Sequence, residues 1–358
     1  MSSPGLTATI GDSRILMGSS FNRLPELVSK DNFVVVTDKI VGDLYKDQLA
    51  DFRIIKIGTG ERSKTLLTVE EIYEFFLEHK VDRTSYVVGL GGGLVTDVTG
   101  FAASTYMRGI RFGFVPTTLL SQVDASLGGK NGVNLHGLKN MIGIIKQPEF
   151  CLIDFNFLNT LPREQIISGM AEVVKCGAIS DKNLFEYVET NCEEILDLNE
   201  SRLEHAVSSA IAVKMNIVRQ DEMEKGERMK LNFGHTLGHA IEKVTGIPHG
   251  YAVSVGMVAA SRLSNAKGLL GRDELDRIEE LLKRIGLPTR IDADVEEVFG
   301  AMSSDKKSAG DLVNMILLNG IGNSAIVRIQ KEDLRKSIIR LYSFLSCFLA
   351  CRSLSAED

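Results

Sequence analysis

The sequence has no tryptophan, and its 358 residues include only six histidines, seven prolines and five cysteines. The cysteines are odd in number and match no spacing of a metal-binding or redox motif: Cys151, Cys176, Cys192, Cys347 and Cys351. We therefore expect reduced thiols in a cytoplasmic protein rather than a disulfide framework.

Long apolar runs and an excess of positive charge are also absent. The first residues show no basic segment followed by an apolar core, so we expect no signal peptide. The most apolar part of the tail, LYSFLSCFLA at 341–350, is too short to cross a bilayer and predicts a helix packed on the body or against a partner. The net charge of −6 argues against nucleic-acid binding, so an anionic ligand would need a local basic site.

The first part of the chain alternates short apolar runs with amphipathic segments. This alternation is typical of a parallel, doubly wound sheet, and we predict an α/β Rossmann-like domain over residues 1–162. A helix is predicted between two of the strands, at 66–80. The predicted buried strands are 33–38, 53–58, 85–90, 112–116 and 150–154.

After about residue 160 the apolar spacing becomes helical, and we predict a mostly α-helical domain over 163–358. One of its helices ends with Gly286 followed by Pro288, a common termination signal. A late hairpin is predicted within 312–329. The predicted helices are 161–179, 201–220 and 273–286.

A glycine cluster, SYVVGLGGGLVTD, joins a predicted strand to a predicted helix. Without Cβ atoms at Gly91, Gly92 and Gly93, backbone N–H groups can approach a pyrophosphate closely. The cluster departs from the G-x-G-x-x-G dinucleotide motif because Leu94 occupies its last position, so a purely structural turn is the alternative. Asp38, which ends the first strong strand, could bind a ribose hydroxyl or cap a helix.

Three of the six histidines lie within fifteen residues. His235 and His239 are four apart and share one face of a predicted helix, while His249 follows a break. The spacing favours a metal site in which His235 and His239 are both ligands. Glu172, flanked by small and apolar residues, is a candidate for a carboxylate ligand, because an acid in such a place is usually paired or bound to metal.

Several long segments identify the family that the chain resembles. GGGLVTDVTGFAASTYMRG, VPTTLLSQVDASLGGKNGVNLHGLKNMIG, LPREQIISGMAEVVKCG and LNFGHTLGHAIE occur in the order found in the 3-dehydroquinate synthases, which are sugar phosphate cyclases. The resemblance extends from about residue 60 to residue 307. It implies an NAD-binding Rossmann-like domain followed by a helical metal domain, a cytoplasmic enzyme and a homodimer.

The resemblance also implies the reaction. Such an enzyme of aromatic amino acid biosynthesis, in the shikimate pathway, converts 3-deoxy-arabino-heptulosonate 7-phosphate to 3-dehydroquinate and phosphate. NAD is transiently reduced, phosphate leaves by β-elimination, the hydride returns and an intramolecular aldol reaction closes the ring. A divalent metal, Zn²⁺ or alternatively Co²⁺, is the second cofactor.

The family's functional positions can be carried onto this chain residue by residue. The metal ligands implied are Glu172, His235 and His249, so His239 is reassigned from metal to substrate. The positions expected to contact NAD are Asp38, Glu61, Lys64, Gly91, Gly92, Gly93, Asp97, Thr117, Thr118 and Lys139. The catalytic positions expected are Asp124, Lys130, Asn140, Lys175 and His239. The positions expected to contact substrate are Lys214, Arg228, Asn232 and Lys306, with Arg108 supplied by a neighbouring subunit.

Two departures from the family pattern accompany these matches. Ile40 stands where the family usually has asparagine, which removes one expected cofactor contact. Tyr251 stands two residues after the ligand His249, where glutamate is usual, and changes the surroundings of the metal.

Three alternative functions are weighed against this one. A sister cyclase acting on a carboxylate-free sugar phosphate would have no use for Arg228 and Asn232 as carboxylate partners. A polyol or glycerol-phosphate dehydrogenase of related fold would not need the lysine-rich GGKNGVN and LKN segments. A non-catalytic nucleotide-binding descendant would not retain so complete a site.

Overall fold

A computed structural model of the chain describes residues 6–28, 32–303 and 312–336. The chain forms two compact units, which are described separately. Unit 1 comprises Met1–Val173 and Glu193–Glu227, and unit 2 comprises Val174–Cys192 and Arg228–Asp358. The predicted terminal helix at 341–350 and the predicted substrate residue Lys306 lie outside the described residues.

The strands are β1 Leu6–Ile10, β2 Ser13–Met17, β3 Phe33–Asp38, β4 Ile54–Ile57, β5 Tyr86–Gly91, β6 Arg111–Pro116, β7 Lys130–Leu135, β8 Leu138–Ile145, β9 Phe150–Ile153, β10 Leu312–Leu318 and β11 Ser324–Gln330. The helices are α1 Leu24–Leu27, α2 Lys39–Leu44, α3 Leu66–Glu78, α4 Gly93–Thr105, α5 Arg163–Ser180, α6 Lys182–Thr190, α7 Cys192–Leu196, α8 Glu200–Gln220, α9 His235–Thr245, α10 His249–Ala266, α11 Arg272–Ile285 and α12 Val295–Ser303.

Unit 1 is built on a seven-stranded sheet of order β1-β2-β9-β6-β5-β3-β4. The edge strand β1 pairs antiparallel with β2, and every other pairing in this sheet is parallel. Strands β3 and β5 are almost wholly buried because both faces of a parallel sheet are covered. The α/β fold predicted from the alternation of strands and helices is confirmed.

The topology of this sheet predicts a ligand site at the edge formed by the carboxyl ends of its strands, which we call the carboxyl edge. The chain leaves β3 to form the outer strand β4, and it then returns to the other side of β3 to form β5. Ligands of doubly wound sheets bind at such a reversal, outside the carboxyl ends of the strands. Asp38 ends β3, Gly91 ends β5 and Pro116 ends β6, so this edge holds most of the predicted NAD contacts.

Unit 2 is mostly helical, as expected, and contains the predicted hairpin, formed by β10 and β11. Helix α11 ends at the predicted signal, because its C-cap Gly286 has φ of +90°. Helices α9 and α10 approach very closely, since a Cβ on Gly256 would lie 1.9 Å from the carbonyl oxygen of Gly234. This contact packs the start of α9, and therefore His235, tightly against α10.

Two hairpins of unit 1 were not predicted, namely β1–β2 and β7–β8. The sequence of β7, KNGVNL, lacks the alternation of apolar and polar residues that identifies a strand. In the part of the chain that the structure describes, no helix is long and apolar enough to cross a membrane.

Candidate active site

Buried charges mark the functional region of this chain. Among the side chains that the structure describes, six lysine, arginine, aspartate or glutamate residues are buried: Lys64, Asp154, Glu172, Lys175, Lys214 and Arg228. All except Asp154 are predicted site residues, and their exposed fractions are only 0–5%. Burying a charge costs free energy unless the charge is paired or bound to a ligand. Their concentration in the predicted site therefore indicates a function rather than a need of folding.

The glycine turn lies at the carboxyl edge of the sheet of unit 1. Gly91 ends β5, Gly92 is the N-cap of α4, and Gly93 begins that helix. A Cβ on Gly91 would lie 2.5 Å from the side chain of Val95, so no other residue fits there without a shift. The first backbone N–H groups of a helix lack intrahelical partners and suit a phosphate.

The two threonines predicted to contact NAD follow β6 on the same edge. The backbone N–H of Thr117 donates to the carbonyl oxygen of Gly91 at 3.0 Å, which ties this segment to the glycine turn. The side chain of Thr118 is 3.1 Å from where a Cβ on Gly92 would lie. The structure therefore brings Thr117 and Thr118 to the turn, as expected for residues that share a cofactor.

Asp38 serves as a helix cap in this structure. Its Oδ1 accepts a hydrogen bond of 2.9 Å from the backbone N–H of Val41, in the first turn of α2. A cap uses one carboxylate oxygen, so the second remains chemically suited to a ribose hydroxyl. Ile40, in the first turn of α2, is 67% exposed.

A buried ion pair lies beside the glycine turn. The ammonium group of Lys64 contacts the carboxylate of Asp97, and its Nζ donates to Oδ1 of Asn140 at 2.6 Å. Burial raises the pKa of Asp97, while the charge and hydrogen bond of Lys64 oppose this rise. Three predicted site residues from distant parts of the sequence are thus in direct contact.

Glu61 joins this group through a residue that the sequence analysis did not single out. Nδ2 of Asn134 donates to Oε1 of Glu61 at 2.8 Å, and the backbone N–H of Asn140 donates to Oδ1 of Asn134 at 2.9 Å. Lys139, the neighbour of Asn140 on β8, is exposed.

Two further predicted lysines of unit 1 bind carboxylates. Nζ of Lys214, on α8, donates to Oδ1 of Asp124 at 2.6 Å, and Lys214 is almost completely buried. The ammonium group of Lys130, at the start of β7, contacts the carboxylate of Glu224. Glu224 was not predicted from the sequence, and the separation of 94 positions between the partners left no local signal for the contact.

Three further predicted site residues belong to unit 2. Lys175 lies on α5, and Arg228 begins the second segment of the unit on a short 3₁₀ helix, Glu227–Asn232, that also carries Asn232. Lys175 and Arg228 are both almost completely buried, whereas Asn232 is partly exposed. A buried arginine presents a planar, permanently charged donor group, which suits a carboxylate or phosphate oxygen pair.

Glu172, His235 and His249 form a group that could hold a metal ion. Helix α5 carries Glu172 and continues into unit 2, where His235 begins α9 and His249 begins α10. One ligand atom from each of the three residues lies within 4.8 Å of the others. Two imidazole nitrogens and one carboxylate oxygen are a donor set that zinc accepts while keeping a coordination position open.

Hydrogen bonds orient both histidines of this group. Nδ1 of His235 lies 3.1 Å from the carbonyl oxygen of Phe233, which can only accept, so Nδ1 carries the hydrogen. Nδ1 of His249 lies 3.2 Å from Oε2 of Glu242, on α9. A histidine that donates from Nδ1 binds metal through Nε2, and partners of this kind are typical of metal sites.

His239 is placed differently from the other two histidines. Its ring centre is 5.2 Å from that of His235 and 5.9 Å from that of His249, yet its side chain is exposed. It does not belong to the group of mutually close ligand atoms. The helical spacing that would make His239 a ligand therefore gives a less suitable set than the one implied by the resemblance.

Arg108 lies in an exposed turn of unit 1. Met107, Arg108 and Gly109 have consecutive positive φ values of +50°, +67° and +112°. Tyr251, the second departure from the family pattern, lies in the first turn of α10, next to the metal group.

The family models match most of the chain. The model of the N-terminal part of 3-dehydroquinate synthase matches residues 54–168, and the model of the C-terminal part matches residues 169–308. The chain belongs to the 3-dehydroquinate synthase family. A relative named 3-dehydroquinate synthase, from Thermoanaerobacter pseudethanolicus, is 42% identical over 333 residues, which cover 88% of this chain and 94% of that protein.

Two synthases are among the solved structures that this family member resembles. The 2-epi-5-epi-valiolone synthase of Streptomyces hygroscopicus, with NAD⁺ and Zn²⁺ bound, has 26% identity and a TM-score of 0.84, covering 92% of this chain and 96% of its own. A 2-deoxy-scyllo-inosose synthase in complex with carbaglucose-6-phosphate, NAD⁺ and Co²⁺ has 29% identity and the same TM-score, covering 92% and 100%.

Three residues at this site were missed by sequence reasoning, namely Asn134, Glu224 and Glu242. Asn134 lies inside the quoted GKNGVNLHGLKN segment, so a closer look at that polar stretch could have found it. Glu242 lies seven residues after His235, two helical turns along the same face, and that spacing is a usable signal. Glu224 has no comparable signal, because its contact depends on the tertiary fold.

Proposed function

We propose that this protein is a 3-dehydroquinate synthase. It would convert 3-deoxy-arabino-heptulosonate 7-phosphate to 3-dehydroquinate and phosphate, and so act as a carbon–oxygen lyase. The observation that carries this proposal is the burial of Lys64, Glu172, Lys175, Lys214 and Arg228 in a chain of net charge −6. Four of these five buried charges are cations, which suit a doubly anionic substrate.

The cofactors in this proposal are NAD and a divalent metal, most simply zinc. The glycine turn and the N-terminus of α4 would hold the pyrophosphate, while Asp38, Glu61, Lys64 and the threonines after β6 would hold the rest of NAD. Glu172, His235 and His249 would hold the metal. Bound NAD supplies a reversible hydride transfer and bound metal a Lewis acid for the substrate oxygens.

The chain's own residues would bind and orient the substrate and move protons. Lys175, Arg228 and Asn232 would receive its anionic groups, and Lys214, held by Asp124, would receive another of its oxygens. Lys130 has its ammonium group fixed by Glu224, so it would meet the substrate in one position. His239, exposed beside the metal group, would transfer a proton.

Sister cyclases are the second candidate, because two of the similar solved structures are synthases of other names. The substrate of a 3-dehydroquinate synthase carries a carboxylate as well as a phosphate. Arg228 is the group suited to that carboxylate, since it is 2% exposed and permanently charged. This residue favours the heptulosonate phosphate over carboxylate-free sugar phosphates.

The proposal is tested by measuring phosphate release and NADH absorbance together. The protein is incubated with NAD, zinc and, in separate samples, 3-deoxy-arabino-heptulosonate 7-phosphate, sedoheptulose 7-phosphate or glucose 6-phosphate. We expect many phosphates released per NAD with the heptulosonate phosphate alone, and no build-up of NADH, because the hydride returns in each turnover. NADH accumulating in step with turnover would instead identify a dehydrogenase, and turnover of a carboxylate-free sugar would identify a sister cyclase.

A further inference from the structure

The hairpin β7–β8 contains an irregularity at the functional edge of unit 1. Val133 pairs with Ile142 and Leu135 pairs with Leu138, with a register shift between the two pairs. Between these pairs, β7 contributes Asn134 alone, whereas β8 contributes residues 139–141. A bulge leaves backbone groups without ladder partners and redirects side chains, and bulges are common beside active sites.

Asn134 supplies the hydrogen bonds that the bulge removes from the ladder. Its Oδ1 accepts from the backbone N–H of Asn140 at 2.9 Å, and its own backbone N–H donates to the carbonyl oxygen of Lys64 at 2.8 Å. Asn140 has φ of +51°, a left-handed conformation that asparagine tolerates better than most residues. The side chain and the backbone N–H of Asn134 therefore both fix the bulge in a defined conformation.

The same side chain also holds a carboxylate. Nδ2 of Asn134 donates to Oε1 of Glu61 at 2.8 Å. Glu61 lies three residues before Lys64, whose Nζ donates to Oδ1 of Asn140 and contacts Asp97 in the first turns of α4. A closed set of contacts thus joins the 61–64 segment, the bulge and the helix that begins at the glycine turn.

We propose that Asn134 is a positioning residue that fixes Glu61 for NAD binding through Nδ2 and fixes Asn140 for catalysis through Oδ1. This inference rests on the proposed function, because Glu61 is placed there at the cofactor and Asn140 at the reacting substrate. The two amide atoms serve different partners, so their roles are separable by substitution.

The test compares two substitutions at this residue. Asn134→Asp keeps an oxygen that accepts from the N–H of Asn140, but it cannot donate to Glu61 and it places a second negative charge beside that carboxylate. Asn134→Ala removes both hydrogen bonds. The dissociation constant for NAD is measured by titration without substrate, and kcat is measured from phosphate release at saturating NAD and zinc.

We expect both variants to bind NAD about tenfold more weakly, as for one lost hydrogen bond to a charged group. We expect Asn134→Asp to keep kcat within about threefold, whereas Asn134→Ala loses at least about fivefold in kcat, because only the alanine variant releases the N–H of Asn140. Such a split between affinity and turnover does not arise from a general loss of stability.

Asn32→Ala is the matched control. Asn32 also bridges two partners, since its Nδ2 donates to Thr84 and its Oδ1 accepts from Ser85, but it lies at the amino end of β3, away from the cofactor edge. We expect this variant to match Asn134→Ala in its loss of thermal stability while NAD affinity and kcat stay unchanged.

Three results would overturn the proposal: unchanged NAD affinity in both Asn134 variants, an equal loss of kcat in both, or the same loss of NAD affinity in Asn32→Ala. Should the unsubstituted protein bind NAD yet release no phosphate, the proposed function fails. The NAD titrations of the three variants then decide the role of Asn134 by themselves.

Discussion

At the scale of the residue, this site is defined by charged side chains that are withdrawn from solvent. Replacing a buried ion pair by apolar residues of similar volume is often neutral or stabilising. Lys64 and Asp97, and likewise Lys214 and Asp124, are therefore weak candidates for a purely structural role, although each pair is well formed. Their value lies in presenting oriented charge to a ligand, because the partner fixes the side chain before the ligand arrives.

Some residue-level predictions followed from the chemistry of the residues alone, whereas others needed the family resemblance. The glycine turn followed from the need for close backbone approach, and the pairing of His235 with His249 needed the resemblance, since spacing alone favours His239. The polar stretch around Asn134 could have drawn attention to this residue, but its contacts depend on the register of a hairpin, which is set by the three-dimensional pairing of strands.

A set of three substitutions tests the assignment of the histidines. His235→Ala and His249→Ala remove ligand atoms of the close group, so we expect both to lose bound metal and phosphate release together. We expect His239→Ala to keep close to one metal per chain while kcat falls about 100-fold, as for loss of a general acid or base. Metal content is measured by elemental analysis after gel filtration, with thermal unfolding as a check on folding.

The opposite pattern would contradict the assignment. If His239→Ala lost its metal while His249→Ala kept it, the ligands would be the two histidines spaced four apart on α9. The third ligand in that case would have to be identified again, because Glu172 was grouped with His249.

At the scale of the element, the sheet of unit 1 separates stabilising and functional interactions onto opposite edges. The carboxyl edge holds Asp38, the glycine turn and the threonines after β6. The amino edge holds a cluster in which the carboxylate of Glu149 accepts two hydrogen bonds of 2.9 Å from Arg111 and one of 2.6 Å from the hydroxyl of Tyr86. These residues join the amino ends of β5 and β6 and the approach to β9.

The elements that were predicted correctly are those with a strong period. Strands β3 and β5 are continuous apolar runs, and α11 has a full apolar face and a clear stop signal. Hairpin β7–β8 was missed because β7, KNGVNL, is rich in polar residues and glycine and has no usable period. Strand β1, LTATI, does alternate apolar and polar residues and could have been predicted. The predicted boundary between the two domains, after residue 162, stays a prediction.

Glu149→Gln tests the cluster on the amino edge. The Arg111 hydrogen bonds lower the pKa of Glu149, so its stabilising contribution is present above the ordinary carboxyl pKa of about 4.3 and is lost as pH falls through the lowered folded-state pKa. Both side chains are about half exposed, so we expect a loss of only about 0.5–1 kcal/mol at pH 7, or about 1–3 °C in the unfolding temperature.

The measurement is thermal unfolding of both proteins from pH 7 to pH 3.5. We expect the difference between them to shrink at the acid end, and NAD affinity to be unaffected because the cluster lies on the other edge. A difference that is constant over this pH range would mean that packing rather than charge is responsible.

At the scale of the whole molecule, the chain combines an α/β unit whose sheet edge suits a dinucleotide with a helical unit that contains the two histidines of the candidate metal group. The net charge argued against nucleic-acid binding, but it could not show where an acidic chain binds an anion. The structure shows that the candidate anion site is built from a few buried cations. A buried cation attracts an anion more strongly than an exposed one, and a few such residues change the net charge of the chain very little.

We predict that the working enzyme is a homodimer in which Arg108 serves the active site of its partner. Its turn has three consecutive positive φ values, and two of these residues, Met107 and Arg108, are not glycine, so the backbone is strained where it exposes the side chain. Strain of this kind is typically kept for a function, and within the chain Arg108 is exposed.

Arg108→Ala and Lys175→Ala should each be inactive alone. Co-expressed in equal amounts, they should regain about a quarter of normal activity, because half of the dimers are mixed and each mixed dimer has one complete site. Lys175→Ala co-expressed with His239→Ala is the control and should regain nothing, since both residues act within their own subunit. Activity in the control, or none in the Arg108 mixture although sedimentation shows dimers, would place Arg108 at the site of its own chain.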